Sequence, residues 1–63
     1  MKLVLGIGPV ATGGYYWNLT SEDEDVHVEC WALYETPEKA EEVGMMIAKL
    51  FGIEIIETDI SSP

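Results

Sequence analysis

Arginine is absent from this chain of 63 residues, and lysine occurs only at Lys2, Lys39 and Lys49. Against them stand twelve aspartates and glutamates, leaving a formal net charge of −9. Nucleic-acid binding draws on Lys and Arg contacts to phosphate, so this deficit argues against a direct nucleic-acid partner. It argues equally against an anionic membrane surface. Cys30 is the single cysteine, which excludes an intrachain disulfide. His27 is the only other soft ligand, which excludes a zinc cluster. A lone thiol fits a reducing, cytoplasmic setting. No apolar run approaches the ~18 residues of a membrane span. The apolar stretch from Met1 to Ala11 is broken by Gly6, Gly8 and Pro9, so it reads as a strand rather than a leader.

A chain this short buries only about 60% of its unfolded surface, and such domains often oligomerise or dock on a partner. What is present is strand chemistry, one helix signal and a block of acids. Lys2 to Gly8, KLVLGIG, has the apolar, β-rich pattern of a buried strand. Gly8 to Gly14 is rich in turn residues and long for a hairpin, the mark of a floppy or functional loop. Tyr15 to Thr20 is a second strand, with Tyr15, Trp17 and Leu19 on one face and Tyr16, Asn18 and Thr20 on the other. Ser21 to Asp25 is an acidic connection, and Val26 to Glu35 reads as the third strand. Thr36, Pro37 and Glu38 together announce a helix: a capping hydroxyl, a proline at the first turn, and an acid at the positive helix end. Ala40, Val43, Gly44, Ile47, Leu50 and Phe51 then recur at helical spacing. Gly44 sacrifices about 1 kcal/mol of helix propensity, which predicts close approach to the sheet. Gly52 ends the helix, Ile53 to Ile60 is the fourth strand, and Ser61 to Pro63 fray.

These elements predict one α+β domain over residues 1–60, ordered β-β-β-α-β. Two hairpins followed by a helical crossover favour a four-stranded sheet of order 3-2-1-4, with the helix packed on one face. The first strand, apolar without interruption, takes a central place. In the third strand Val26, Val28, Cys30, Ala32 and Tyr34 suit the helix-covered side. Trp31 and Leu33 then join Val4 and Tyr16 on the open face, and an apolar patch there signals association, including a homodimer. The alternative is the reverse assignment, with Trp31 and Leu33 in the core.

Gly6 to Ala11 matches a dinucleotide GxGxxA pattern, but turn and strand residues follow where that site needs a helix, so the glycines are expected to build a turn. His27 and Cys30 fall on opposite strand faces and cannot form a local nucleophile–base pair. Glu22, Asp23, Glu24 and Asp25 lack the alternating ligands and turn glycine of a calcium loop. No metal, cofactor or catalysis is expected. The aromatic residues lack the interleaved bases of a nucleic-acid surface and suit a protein interface instead.

GGYYWNLT, followed by a strand and ETPEKAEEVGMMIAKL, resembles the HicB-like small domains. That resemblance implies a hairpin, third strand and helix in a partial RNase-H-like arrangement, and an antitoxin that binds a small basic toxin. The chain departs from the pattern where TSEDED replaces a proline-glycine segment, and no residue role is carried over. In size and charge it also resembles small phage anti-defence proteins of the anti-CRISPR type. The expected function is therefore a non-catalytic inhibitor whose acids occupy a basic, nucleic-acid-binding surface of a protein or nucleoprotein complex. Glu22, Asp23, Glu24, Asp25 and Glu29 would supply the charge, and Trp31 and Leu33 the apolar anchor.

Overall fold

A computed structural model describes residues 1–30 and 32–61. The elements are β1 (Lys2–Pro9), β2 (Tyr15–Thr20), β3 (His27–Glu29), α1 (Pro37–Leu50) and β4 (Glu54–Ile60). They build an α+β fold whose mixed sheet has the order β3-β2-β1-β4. β1–β2 and β2–β3 pair antiparallel, while β4 runs parallel to β1. The apolar β1 is therefore interior to the sheet. No helix among the described residues is long and apolar enough to cross a membrane.

The strand period of two sends Leu3, Leu5 and Ile7 of β1 and Trp17 and Leu19 of β2 to one face, where all five are buried. α1 covers that face. The Thr36 hydroxyl accepts the Lys39 N–H at 3.1 Å, Pro37 follows as the first helical residue, and Glu38 and Lys49 complement the two ends of the helix. The buried row of the helix is Ala40, Gly44 and Ala48, spaced by four and free of large side chains. A Cβ at Gly44 would lie 2.7 Å from Leu5 Cδ1 and 3.3 Å from Trp17 Cγ, so glycine is what lets the helix sit this low. Val43 and Ile47 flank the row and are half-buried. Leu50 and Phe51, expected on the apolar face, are instead 74% and 75% exposed. They lie at the end of α1, where the chain turns through Gly52 into β4.

Two further expectations change. The third strand does not run from Val26 to Glu35. It pairs with β2 only over His27–Glu29, and after a gap Tyr34 returns to bridge Tyr15. A regular ladder from Asn18↔Glu29 would bring residue 32 opposite Tyr15, so two extra residues are looped out. The cause is visible at Cys30: its N–H donates to Trp17 O at 3.2 Å, but the Trp17 N–H donates to the Cys30 thiol at 3.3 Å instead of to a carbonyl. That thiol in turn donates to Ala32 O at 3.2 Å, curling the chain out of the ladder. The loop between β1 and β2 is closed by hydrogen bonds from Val10 N–H to Gly14 O (3.0 Å) and from Gly13 N–H to Val10 O (2.9 Å). Ser61 is not frayed, because its N–H donates to Ile7 O at 2.8 Å. The remainder of the expected frayed tail lies outside the described residues. β4 also carries a bulge: Leu3 faces Ile55 but Val4 faces Glu57, leaving Ile56 without a partner on β1.

Gly44→Ala is expected to destabilise the fold by about 1 kcal/mol, because crowding the buried Leu5 and Trp17 outweighs the ~1 kcal/mol gained in helix propensity. Urea unfolding followed by tryptophan fluorescence checks this; an increased midpoint would contradict the close seating of α1.

Candidate functional site

The face of the sheet opposite α1 is the candidate site. The pairing registers place Val4, Gly6 and Gly8 of β1 there, beside Tyr16, Asn18 and Thr20 of β2 and His27 and Glu29 of β3. Gly8 faces Tyr16 and Gly6 faces Asn18 across the β1–β2 ladder. A Cβ would stand 2.8 Å from the Tyr16 hydroxyl oxygen at Gly8, and 2.6 Å from Asn18 Oδ1 at Gly6. These glycines therefore do not build a turn. They lie within β1 and let the Tyr16 and Asn18 side chains cross over it.

The bulge in β4 determines what borders this face on its far side. It sets Glu57 beside Val4 and Asp59 beside Gly6, so both carboxylates reach the uncovered face. From the opposite direction Glu22 and Glu24 of the β2–β3 loop reach the same shallow depression of about 510 Å³, which Tyr16, Asn18 and Thr20 floor. Lys39 and Lys49 stand on α1, across the sheet, and Lys39 Nζ lies 3.5 Å from Glu42 Oε1. At the β3 edge the Thr20 hydroxyl and His27 Nδ1 share a hydrogen bond of 3.0 Å, and His27 Nε2 lies 3.7 Å from Glu29 Oε1. Among the described residues no group of three or more His, Cys, Asp or Glu side chains could hold a metal ion.

The four consecutive acids divide by role. Asp23 turns back into its own loop, where Oδ1 accepts from the Ser21 hydroxyl at 2.6 Å and from the Asp25 N–H at 3.2 Å. The Ser21 hydroxyl oxygen accepts from Val26 N–H at 3.0 Å, and Ser21 N–H donates to Val26 O at 2.9 Å, closing the hairpin. These bonds, the Ser21 hydroxyl first and then the Asp25 N–H, hold the Asp23 carboxyl below its ordinary value of 3.8. Glu24 takes φ = 63°, in the left-handed region. Glu22 and Glu24 remain to face outward into the depression, while Asp25 is exposed at the tip.

Among the described residues, this face is polar and acidic. Val4 and Tyr16 are there as anticipated, but Leu33, 51% exposed, lies in the looped-out segment beside Gly14 and follows no strand alternation. The direction of Trp31 lies outside the described residues. Val28 does face the helix side, opposite Leu19, yet is 44% exposed because β3 is an edge. Exposed large apolar side chains include Met45, Met46 and Leu50 on α1, Phe51 at its C-cap, and Ile56 and Ile60 on β4. Glu57 and Asp59 were missed as site residues. Their period-two spacing was visible, but the bulge that decides their face was not.

Comparison with protein-family models, with curated proteins and with solved structures finds no match for this chain.

Two outcomes follow from the loop. The folded Asp23 pKa is depressed, so the stability it contributes is present above the ordinary value of 3.8 and is lost as pH falls through the lowered folded value. Carbon-detected NMR titration should find the Asp23 midpoint below that of an unfolded peptide, with Ser21→Ala raising it; an unmoved midpoint would show that the hydroxyl bond is not its cause. Glu24→Gly should raise stability by about 1 kcal/mol by relieving the left-handed backbone, read as a higher urea midpoint.

Proposed function

We propose that this protein is a non-catalytic inhibitor whose uncovered sheet face occupies a basic, nucleic-acid-binding surface on a partner protein or nucleoprotein complex. The observation that carries this reading is the convergence of Glu22, Glu24, Glu57 and Asp59, from a loop and a distant strand, on one face. Lys39 and Lys49 stand on the far side of the sheet with Glu38, Glu41 and Glu42, and Lys2, in phase with Val4, is the one lysine on the uncovered face, where the acids outnumber it. Such a surface accelerates encounter with basic partners and repels nucleic acid and other copies of itself. Two copies stacked by this face would bring acids against acids, so the occupant is a basic protein rather than a homodimer partner. The free thiol of Cys30 is compatible with action in a reducing, cytoplasmic setting.

A second reading, a HicB-like antitoxin that neutralises a small basic toxin, draws support from the hairpin, third strand and helix occurring in that order. It uses the same surface and differs in the partner. Rescue of cells from a small basic RNase toxin by co-expression would favour it over the first.

The test is capture from lysates of cells carrying candidate nucleic-acid-binding complexes, followed by salt and DNA competition. Capture should fall steeply with salt and with added duplex DNA. The combined variant Glu22→Gln, Glu24→Gln, Glu57→Gln, Asp59→Asn should lose at least about tenfold in affinity. Capture insensitive to salt, or undiminished with that variant, would sink the proposal.

A further inference from the structure

β4 is the long free edge of the sheet. It pairs with β1 on one side, and six of its seven residues are exposed. The N–H groups of Glu54 and Ser61 donate inward, to Met1 O at 2.9 Å and Ile7 O at 2.8 Å. Peptide groups alternate in direction along a strand, so counting back from Ser61 the N–H and C=O of Ile60 and Thr58 point outward, without a partner among the described residues. The opposite edge, β3, offers only three residues.

Two features flank this edge. On the uncovered face stand Glu57 and Asp59. On the helix side an apolar groove of about 480 Å³ runs between α1 and the start of β4, lined by Met45, Met46, Ile53 and Ile55. Methionine side chains adapt to varied apolar shapes. A second copy is a poor occupant: antiparallel registers centred on Glu57, Thr58 or Asp59 each place an acid directly opposite an acid, which is destabilising.

We infer that the β4 edge accepts an extended segment of a partner protein as an added strand, one that alternates Lys or Arg with apolar residues. Main-chain bonds to Thr58 and Ile60 hold it. Its basic side chains face Glu57 and Asp59, and its apolar side chains enter the groove beside Met45 and Met46. The sign of the partner's charge rests on the acidic-face reading above; the strand addition itself does not.

The probe is a peptide of alternating lysine and valine, matched to the length of β4 and titrated at low salt while amide exchange is followed by NMR. The expected result is binding, with exchange at the Thr58 and Ile60 amides slowed at least about tenfold. A peptide N-methylated at alternate residues should bind about tenfold more weakly, because it lacks the main-chain donors. Thr58→Pro should weaken binding similarly while sparing the inward ladder, since the Thr58 N–H faces solvent. If that variant fails to fold, the N-methylated peptide on the native chain decides. Binding without slowed exchange, equal affinity for the N-methylated peptide, or no binding overturns strand addition. Binding by charge alone would leave the acidic-face reading standing. Slowing that grows with protein concentration and needs no peptide makes a second copy the occupant and likewise overturns the proposal. A glutamine-for-lysine peptide that still slows exchange supports the added strand and removes only the charge requirement.

Discussion

The close seating of α1 on β1 and β2 is the constraint on which the rest depends. A chain this small has few large side chains to bury, and most of its core comes from Leu3, Leu5, Ile7, Trp17 and Leu19 on one side of two strands. A helix held away by bulky side chains would leave these residues half covered. The Ala40–Gly44–Ala48 row removes that separation, so that sheet side chains meet helix backbone and a single layer of apolar residues serves as the whole core. Large residues of the helix stand beside or away from this row, Val43 and Ile47 half-buried, Met45 and Met46 exposed.

Concentrating burial on one side frees the other from any structural duty. Nothing on the uncovered face has to exclude water, so that face can carry carboxylates, an amide and hydroxyls without a desolvation penalty. Glycines at two positions of β1 lower the floor further and let Tyr16 and Asn18 spread across it. The result is a molecule whose core lies on one side of the sheet and whose acid-rich open surface lies on the other, and the two sides meet along the outer edge of β4. Recognition that uses both sides is most economically achieved at that line.

Local chemistry made much of this legible in the sequence. The bounds of β2 follow from alternation in YYWNLT and from the turns on either side. The start of α1 follows from Thr36 and Pro37, and the role of Gly44 from its position in an otherwise good helix. The strand order follows from two hairpins and one crossover. What escaped depends on contacts between distant residues. The break after Glu29 arises because the Cys30 thiol competes for the N–H of Trp17, thirteen residues away. Periodicity continues smoothly through that point, so the alternation that suggested an apolar open face carried past the place where the ladder stops. Similarly, Glu22 to Asp25 read as one acidic unit, whereas loop closure consumes Asp23 and leaves its neighbours outward.

The unpaired Ile56 has a consequence beyond its own place in the sheet. It works as a frame shift in a two-letter code: upstream and downstream halves of β4 read the inside–outside alternation in different phases. In an uninterrupted ladder Glu57 would stand beside Leu5 and Asp59 beside Ile7, and both carboxylates would leave the uncovered face for the helix side of the sheet. The bulge at this one position, rather than the identity of any side chain, therefore decides which face of the sheet the two acids border. Loss of Ile56 would remove the bulge and leave every other pairing in phase. Changes in length and changes in sequence thus act on this strand under quite different tolerances.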